Sequence, residues 1–355
     1  MSRPAVVFGG PSDEHDISIL TGLQACHALS DVHAFYWGKS GEWFQVSPDA
    51  EAIDFAAGPP RKSRAVQLIP SLGQGFVSRR PIQISAVLNC CHGGPGEDGT
   101  LQGIFDLAGL RYTGPGQAAS ALGMDKLAFG AAMAASGLPT LDRSLVIDAS
   151  GVRFEGPYIV KPRFGGSSIG IEVVEDWASA LALVATSPFY GSGGVAEPFL
   201  AESRDLQVAV RTWPQVELSA IEAPTRSGSG IYSYSQKYLA WGGDVGSGRE
   251  LPARISDELR SEIVELARRV TVAAGLRGVC RIDFLERDGE LWVNEVNTIP
   301  GSMAAYLWID RPLSRRELFT GMLDEALSGP VRSFSVSGAD GTALRNAGTI
   351  QSKLS

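Results

Sequence analysis

Short apolar runs alternate along the chain with glycine-rich turns and stretches of helical periodicity. Ala5 to Phe8 is apolar and passes into Gly9-Gly10-Pro11-Ser12-Asp13-Glu14, after which Ile17, Leu20, Leu23 and Cys26 recur three or four residues apart. This pattern predicts a strand, a glycine turn and a helix with one buried face. His33 to Trp37 and Val66 to Ile69 predict further strands, separated by a Pro/Gly-rich connection at Ala56 to Pro60. Ala86 to Cys91, broken only by Asn89, is the continuous apolar run of a strand covered on both faces. It ends in His92-Gly93-Gly94-Pro95-Gly96-Glu97-Asp98-Gly99-Thr100, and Leu101, Ile104, Phe105 and Leu107 then predict a helix that stops near Gly109. Residues 1–118 therefore read as a small doubly wound domain, whose ligand loops lie at the carboxyl ends of its strands.

Beyond it, Asp125-Lys126 opens a helix, and Tyr158-Ile159-Val160-Lys161 is a strand that ends on a lysine. Gly165-Gly166-Ser167-Ser168-Ile169-Gly170 follows, then the strand Ile171 to Val174. A loop of this composition between strands can cover phosphates with backbone N–H and hydroxyl donors, or be a plain hairpin tip. Val195 to Leu200 reads as a strand entering a hinge, with Asp205 and the strands Leu206 to Val210 and Gln215 to Ile221 after it. Tyr232 to Leu239, carrying Lys237 and Tyr238, has the composition and length of a lid. Ser256 caps a helix with the apolar face Leu259, Ile263, Leu266 and Val270, and Ser314 caps a last helix ending before Gly329. The expected units are 1–118, 119–204 and 205–329, and 330–355, rich in Ser, Gly and Ala, is expected to be disordered.

Composition narrows the function. The 355 residues exceed the size at which single cores stop growing, and 44% of them are hydrophobic. A net charge of −8 without a block of Lys or Arg argues against nucleic acid or an anionic membrane as partner. No run reaches the ~18 apolar residues of a membrane span, and the start enters a strand without a cleavable apolar region, so a cytoplasmic protein is expected. The four cysteines lack metal-type spacing and read as reduced, buried thiols.

The candidate chemistry centres on Arg281 to Gly301, two strands joined at Asp288-Gly289. Its polar positions are Arg281, Asp283, Glu295 and Asn297. A two-residue loop would set Asp283 opposite Asn294 and turn Glu295 to the other face. A three-residue loop, Arg287 to Gly289, puts Arg281 opposite Glu295 and gathers both carboxylates with Asn297 on one face, and this register is the one expected. Two carboxylates and an amide oxygen suit Mg²⁺, and the alternative is a salt-bridged exposed face. Glu14, at a helix start, either compensates the helix dipole or grips a substrate ammonium.

In order along the chain, Phe8-Gly9-Gly10 with Ser12 and Glu14; His92-Gly93 with Gly96 to Thr100; Ala121-Leu122 with Met124-Asp125-Lys126; Lys161-Pro162; Gly166-Ser167-Ser168; Lys237-Tyr238; and Arg281-Ile282-Asp283 with Asn294-Glu295 and Asn297-Thr298 resemble the D-alanine-D-alanine ligase family of the ATP-grasp superfamily. The resemblance runs from Val6 to about Pro300. It implies an α/β and α+β, three-domain ATP-grasp fold and a ligase that joins two D-alanines through an acyl phosphate, the alternatives being a related ligase taking a different second amino acid and a non-catalytic nucleotide-binding regulator. By this resemblance ATP is held by Lys126, Lys161, Ser168, Glu197, Leu200 and Asp205, and two Mg²⁺ ions, with Mn²⁺ as a substitute, by Asp283, Glu295 and Asn297. Glu14, Ser167, Tyr238 and Arg281 are implied in catalysis, and His92, Lys237, Gly301 and Tyr306 in substrate binding. The partners implied are small amino acids and ATP, and a homodimer is compatible with the family. The product implied is a building block of peptidoglycan or of a specialised peptide. Two departures stand out: Asp205 where glutamate is usual, and Tyr306 where D-alanine-joining members carry a small hydroxyl residue that binds the second carboxylate.

Overall fold

The computed structural model describes residues 2–148, 152–224 and 249–351. Three sheets follow one another along the chain. The first is built from β1 (Arg3–Gly9), β2 (His33–Trp37), β3 (Trp43–Val46), β4 (Arg64–Ile69), β5 (Gly75–Val77) and β6 (Ile84–Asn89), in the order β5-β4-β3-β2-β1-β6. Only β2, β1 and β6 run parallel; β3, β4 and β5 form an antiparallel extension. The domain is thus wound only over its parallel half. The alternating residues of β1 explain the layers: Val6 and Phe8 pack beneath helix α1 (His15–Ala28), whereas Ala5 and Val7 face the opposite core with Leu101 and Phe105. The short turn of helix α2 (Gly94–Glu97) and helix α3 (Thr100–Ala108) follow β6, and Gly109 ends α3 in a left-handed conformation.

Helices α4 (Gln117–Met124) and α5 (Lys126–Ala135) lead into the second sheet. Its strands are β7 (Ser144–Leu145), β8 (Tyr158–Pro162), β9 (Glu172–Val174) and β10 (Gly194–Pro198), in the antiparallel order β7-β10-β8-β9. Helix α6 (Trp177–Thr186) covers this sheet with Ala180 against Val160 and Ala196.

The third sheet, β11 (Arg204–Arg211), β12 (Glu217–Pro224), β13 (Arg249–Glu250), β14 (Val279–Arg287) and β15 (Glu290–Asn297), is antiparallel in the order β13-β12-β11-β14-β15. Helix α7 (Asp257–Ala273), capped by Ser256 as expected, lays Ile263, Leu266 and Val270 on its core face with Phe129 and Met133 of α5. The facing residues are Leu206, Val208, Ile221, Ile282, Phe284 and Val293, so the alternate residues of the same strands are left for the other face.

After β15 a kinked 3-10 segment spans Gly301–Leu307, and helix α8 (Arg315–Ser328) begins with a capping box between Ser314 and Glu317. The apolar face of α8, Leu318, Phe319, Met322 and Leu323, joins the core beneath α1 and β6. Helix α8 is therefore packed with the first sheet, although sequence order groups it with the third. Arg111 reaches across to the carbonyls of Ala326, Leu327 and Gly329 and so satisfies the end of α8. The tail expected to be disordered carries helix α9 (Thr342–Ala347), and Arg332 pairs with Asp106 at 3.1 Å. All four cysteines are buried and free. No helix among the described residues is long and apolar enough to cross a membrane.

Candidate active site

The register of the β14–β15 hairpin differs from the expected one. Arg287 pairs with Glu290, so the loop has two residues, with Asp288 at φ 54° and Gly289 at φ 85°. Positive φ at both central positions is the turn that matches strand twist. By strict alternation Glu295 would share the core face with Val293. A bulge at Asn294 changes this: Phe284 pairs with Val293, but Asp283 pairs with Glu295 and Arg281 with Asn297. The gathering of polar groups on one face was expected correctly, and the means is a bulge rather than a longer loop.

The same registers extend the row across the sheet. Gln207 lies opposite Asp283 on one side and opposite Glu222 on the other. Glu222, Gln207, Asp283 and Glu295 thus form one line over four strands, each about 4.8 Å from the next. Arg281 grips Asp283 as a two-pronged fork at 2.7 Å and 2.7 Å, while the amides of Asn297 and Gln207 reach the same carboxylate at 3.2 Å and 3.4 Å. Two opposed carboxylates and an amide, all hard oxygen ligands, fit a divalent cation such as Mg²⁺, with the fork of Arg281 beside it.

Facing this row across a cleft is the second sheet. Lys161 donates to Glu197 at 2.7 Å and to the side chain of Asn294 at 3.3 Å. Arg143 lies 3.0 Å from the other Glu197 oxygen and also donates to the carbonyls of Lys126 and Asn294. Burial alone would raise the pKa of Glu197, yet Lys161 and Arg143 together hold it below the usual value. Glu197 lines the cleft, and its carboxylate is occupied as the counter-ion of two cations. Lys161, Ser168, Leu200, Asp205, Asp283 and Glu295 line the same cleft.

Lys126 is buried, which lowers its pKa, and it donates to the carbonyl of Gly165 at 2.6 Å. The loop after β8 is thereby tied down at one end. Further along it Ser167 and Ser168 both take positive φ, 55° and 58°. Such strain in non-glycine residues persists where surroundings fix it. Here Ser167 Oγ donates to Glu14, which stands at the N-terminus of α1. The first sheet and the glycine-serine loop meet at this contact. Gly93 closes the same corner at φ 63°, where a Cβ would stand 2.6 Å from Glu14 Oε2 and 2.7 Å from Ser12 Oγ.

His92, implied in substrate binding, is bonded at both ring nitrogens within the fold. Its Nδ1 bonds the carbonyl of Ile299 at 2.6 Å and its Nε2 bonds Thr21 Oγ1 at 2.8 Å, so the buried ring braces the first sheet against the segment after β15. Ser302 N donates to the same Thr21 hydroxyl at 3.1 Å. Glu97 completes the brace, accepting from Gly93 N, Thr298 Oγ1 and Ile299 N at 2.9, 3.0 and 2.8 Å. Burial, with Glu14 nearby, pushes its pKa up to about 7 against the opposing effect of those three donors. An acid with a raised folded pKa holds extra protons in the folded state, so its contribution to stability falls as pH rises from about 4.5 to about 7. We expect the difference in melting temperature between the wild type and Glu97→Gln to change across that window and to level off on either side. Parallel melting curves against pH would refute this.

Gly301 and Tyr306 lie in the 3-10 segment, where Ser302, Met303 and Ala304 form a left-handed turn with φ between 47° and 50°. The Tyr306 hydroxyl donates to Glu222 at 2.8 Å. Lys237, Tyr238 and the expected lid at Tyr232 to Leu239 lie outside the described residues. The sequence reading missed Arg143, Gln207, Glu222 and Arg249. Glu222 had a signal: a lone carboxylate inside the apolar run Ala220-Ile221-Glu222-Ala223 is a charge facing away from a core.

Two antiparallel sheets that close on a cleft, one offering buried lysines and the other a row of carboxylates, define the ATP-grasp class. Residues 3–115 match the model described as D-ala D-ala ligase N-terminus, and residues 139–323 that of the D-ala D-ala ligase C-terminus. A D-alanine--D-alanine ligase of Mycobacterium sp. (strain KMS) is 32% identical over 92% of this chain and 96% of its own length. One from Mycobacterium tuberculosis (strain CDC 1551 / Oshkosh) is 32% identical over 92% and 95%. The crystal structure of the VanG D-Ala:D-Ser ligase from Enterococcus faecalis superposes with a TM-score of 0.78 at 25% identity, covering 92% of this chain and 99% of that one. That of the D-alanine-D-alanine ligase from Helicobacter pylori gives 0.73 at 25% identity over 93% and 100%. The chain belongs to the D-alanine-D-alanine ligase family.

Proposed function

We propose that the protein is an ATP-dependent ligase that joins two D-alanines, releasing ADP and phosphate. The carboxylate of the first amino acid attacks the γ-phosphate to give an acyl phosphate, which the amine of the second then attacks through a tetrahedral intermediate. The observation that carries this reading is the Ser167–Glu14 contact, which brings a carboxylate of the first sheet to the loop beside the phosphate-binding lysines. Glu14 is set to hold the first ammonium there. Lys126 and Lys161 neutralise phosphate oxygens, and Leu200 with the Glu197 backbone and Asp205 receives the adenosine. Asp283, Glu295 and Asn297 hold two Mg²⁺ ions, which supply charge neutralisation for the developing negative oxygens. Arg281, forked on Asp283 beside the metal ligands, stabilises the oxyanion. Closing the loop over this chemistry matters because an acyl phosphate hydrolyses in water. ATP use and four reduced thiols suit a cytoplasmic setting, and the dipeptide suits peptidoglycan synthesis.

A second reading, a different second amino acid, is favoured by one observation: Tyr306 fills the position where a small hydroxyl is usual, and its hydroxyl is committed to Glu222. The test for both is phosphate release with ATP, Mg²⁺ and D- and L-amino acids, singly and in pairs, with product masses. D-alanine alone should yield one phosphate per D-alanyl-D-alanine. Phosphate release that no amino acid stimulates would overturn the ligase reading, and a dipeptide formed only with another second amino acid would select the second.

A further inference from the structure

The polar row does not end at the metal-type carboxylates. Its far end is Glu222, 3% exposed, on β12. Tyr306 donates to Glu222 Oε2, Arg249 on the edge strand β13 lies 3.3 Å from Oε1, and the Arg249 guanidinium stands 4.9 Å from the centre of the Tyr306 ring. A phenol has one proton to give. Given to Glu222, it is not available to a substrate carboxylate, and the ring fills the room a small hydroxyl residue would leave.

An amino acid that attacks with its amine still brings a carboxylate, and burying that charge without a donor is costly. Arg281, in the neighbouring row, is already forked on Asp283. Arg249 offers what is needed. A guanidinium has five N–H donors in a flat fork that matches a carboxylate, and among the described residues one Arg249 nitrogen meets Glu222. The ring of Tyr306 beneath it and Glu222 beside it fix its plane. About a third of the side chain stays open to solvent, 36%, so it faces accessible space. Glu222 and Asp283 are two strands apart, about 9–10 Å, a span that a small amino acid bridges with its amine toward the reacting centre and its carboxylate toward the edge strand.

We propose that Arg249, positioned by Glu222 and Tyr306, anchors the carboxylate of the second amino acid. The inference rests on the ligase reading above and names the chemistry of its second site: a small α-amino acid recognised by a guanidinium rather than by a hydroxyl.

The experiment compares D-alanine with D-alaninamide as the second nucleophile, in the wild type, Arg249→Lys, Arg249→Met and the double variant Arg249→Met/Glu222→Gln. Phosphate release and product mass give kcat/KM for each nucleophile at saturating first substrate. Wild type should prefer the carboxylate over the amide by about 30-fold or more, as expected for a desolvated charge pair. Arg249→Lys should keep part of that preference. Arg249→Met should bring the two nucleophiles within about threefold of each other through loss of D-alanine use alone, while the Michaelis constant at the first site stays within about twofold. The double variant removes the guanidinium without stranding a buried carboxylate and should lose the preference equally, which keeps the test open if Arg249→Met folds poorly. A wild-type preference retained in Arg249→Met or in the double variant overturns the proposal. A wild type that makes no dipeptide from any pair overturns the ligase reading and the anchor with it; a dipeptide made with unchanged preference overturns the anchor alone.

Discussion

Replacing Glu295 by glutamine should lower kcat by about 10²–10³-fold or more while the melting temperature stays close to that of the wild type. Glu295 faces the cleft beyond the bulge at Asn294, so the substitution removes charge from the ligand set and leaves the core residues of β15 in place. Asp283→Asn should stop turnover to a similar degree and also weaken the fold. Both oxygens of Asp283 bind the Arg281 fork, and an asparagine offers that guanidinium one acceptor instead of two. The two carboxylates, equivalent in the sequence reading, are thereby separated by experiment. Steady-state phosphate release and thermal melting of both variants check this. Near-wild-type turnover of either at saturating Mg²⁺ contradicts the ligand assignment.

Glu197→Gln should destabilise the protein by about 3–5 kcal/mol, the cost of stranding buried cations without their counter-charge. Glu197 is 1% exposed and lies between Lys161 and Arg143, themselves almost wholly buried. A neutral amide leaves two positive charges beside the cleft. The loss should be largest without nucleotide and shrink when ATP supplies anionic oxygens to Lys161, since a ligand that binds only the folded state stabilises it. Denaturant titrations with and without ATP and Mg²⁺ measure both effects. An unchanged transition midpoint would show that the triad is not holding the second sheet to the third.

The parts of the site that were legible in sequence are those set by local alternation. Arg281 with Asp283, and Glu295 with Asn297, sit two apart on strands and so share faces whatever the turn does. Lys161 near the end of β8, the helix opening at Asp125-Lys126 and the Ser256 and Ser314 caps were legible because they too are set by local sequence. The hairpin register was not. The bulge at Asn294 is held by Arg143 at its carbonyl and Lys161 at its side chain, both far away in sequence, and local propensity carries no trace of them. His92 and Glu97 were recognisable as a motif, but their partners Ile299, Thr298 and Thr21 come from other elements, so the brace they form was not legible. The antiparallel strands β3 and β5 were missed because they are short and flanked by turns, and the first sheet was accordingly expected to be more regular than it is. Gln207 became meaningful only when β11 was seen to lie between Glu222 and Asp283.

The packing of α8 beneath α1 and β6 has a consequence for how the chain is made. The core under the first sheet takes Leu318, Phe319, Met322 and Leu323 from a helix translated long after β6. At about 5–20 residues per second, the interval between Asn89 and Arg315 lasts roughly 10–45 s. During that time the nascent first sheet exposes the apolar surface that α8 later covers. The core of the amino-terminal third is thus completed only once α8 has been made, and a ribosome that stalls before Arg315 leaves an unfinished amino terminus rather than a finished one with an incomplete tail.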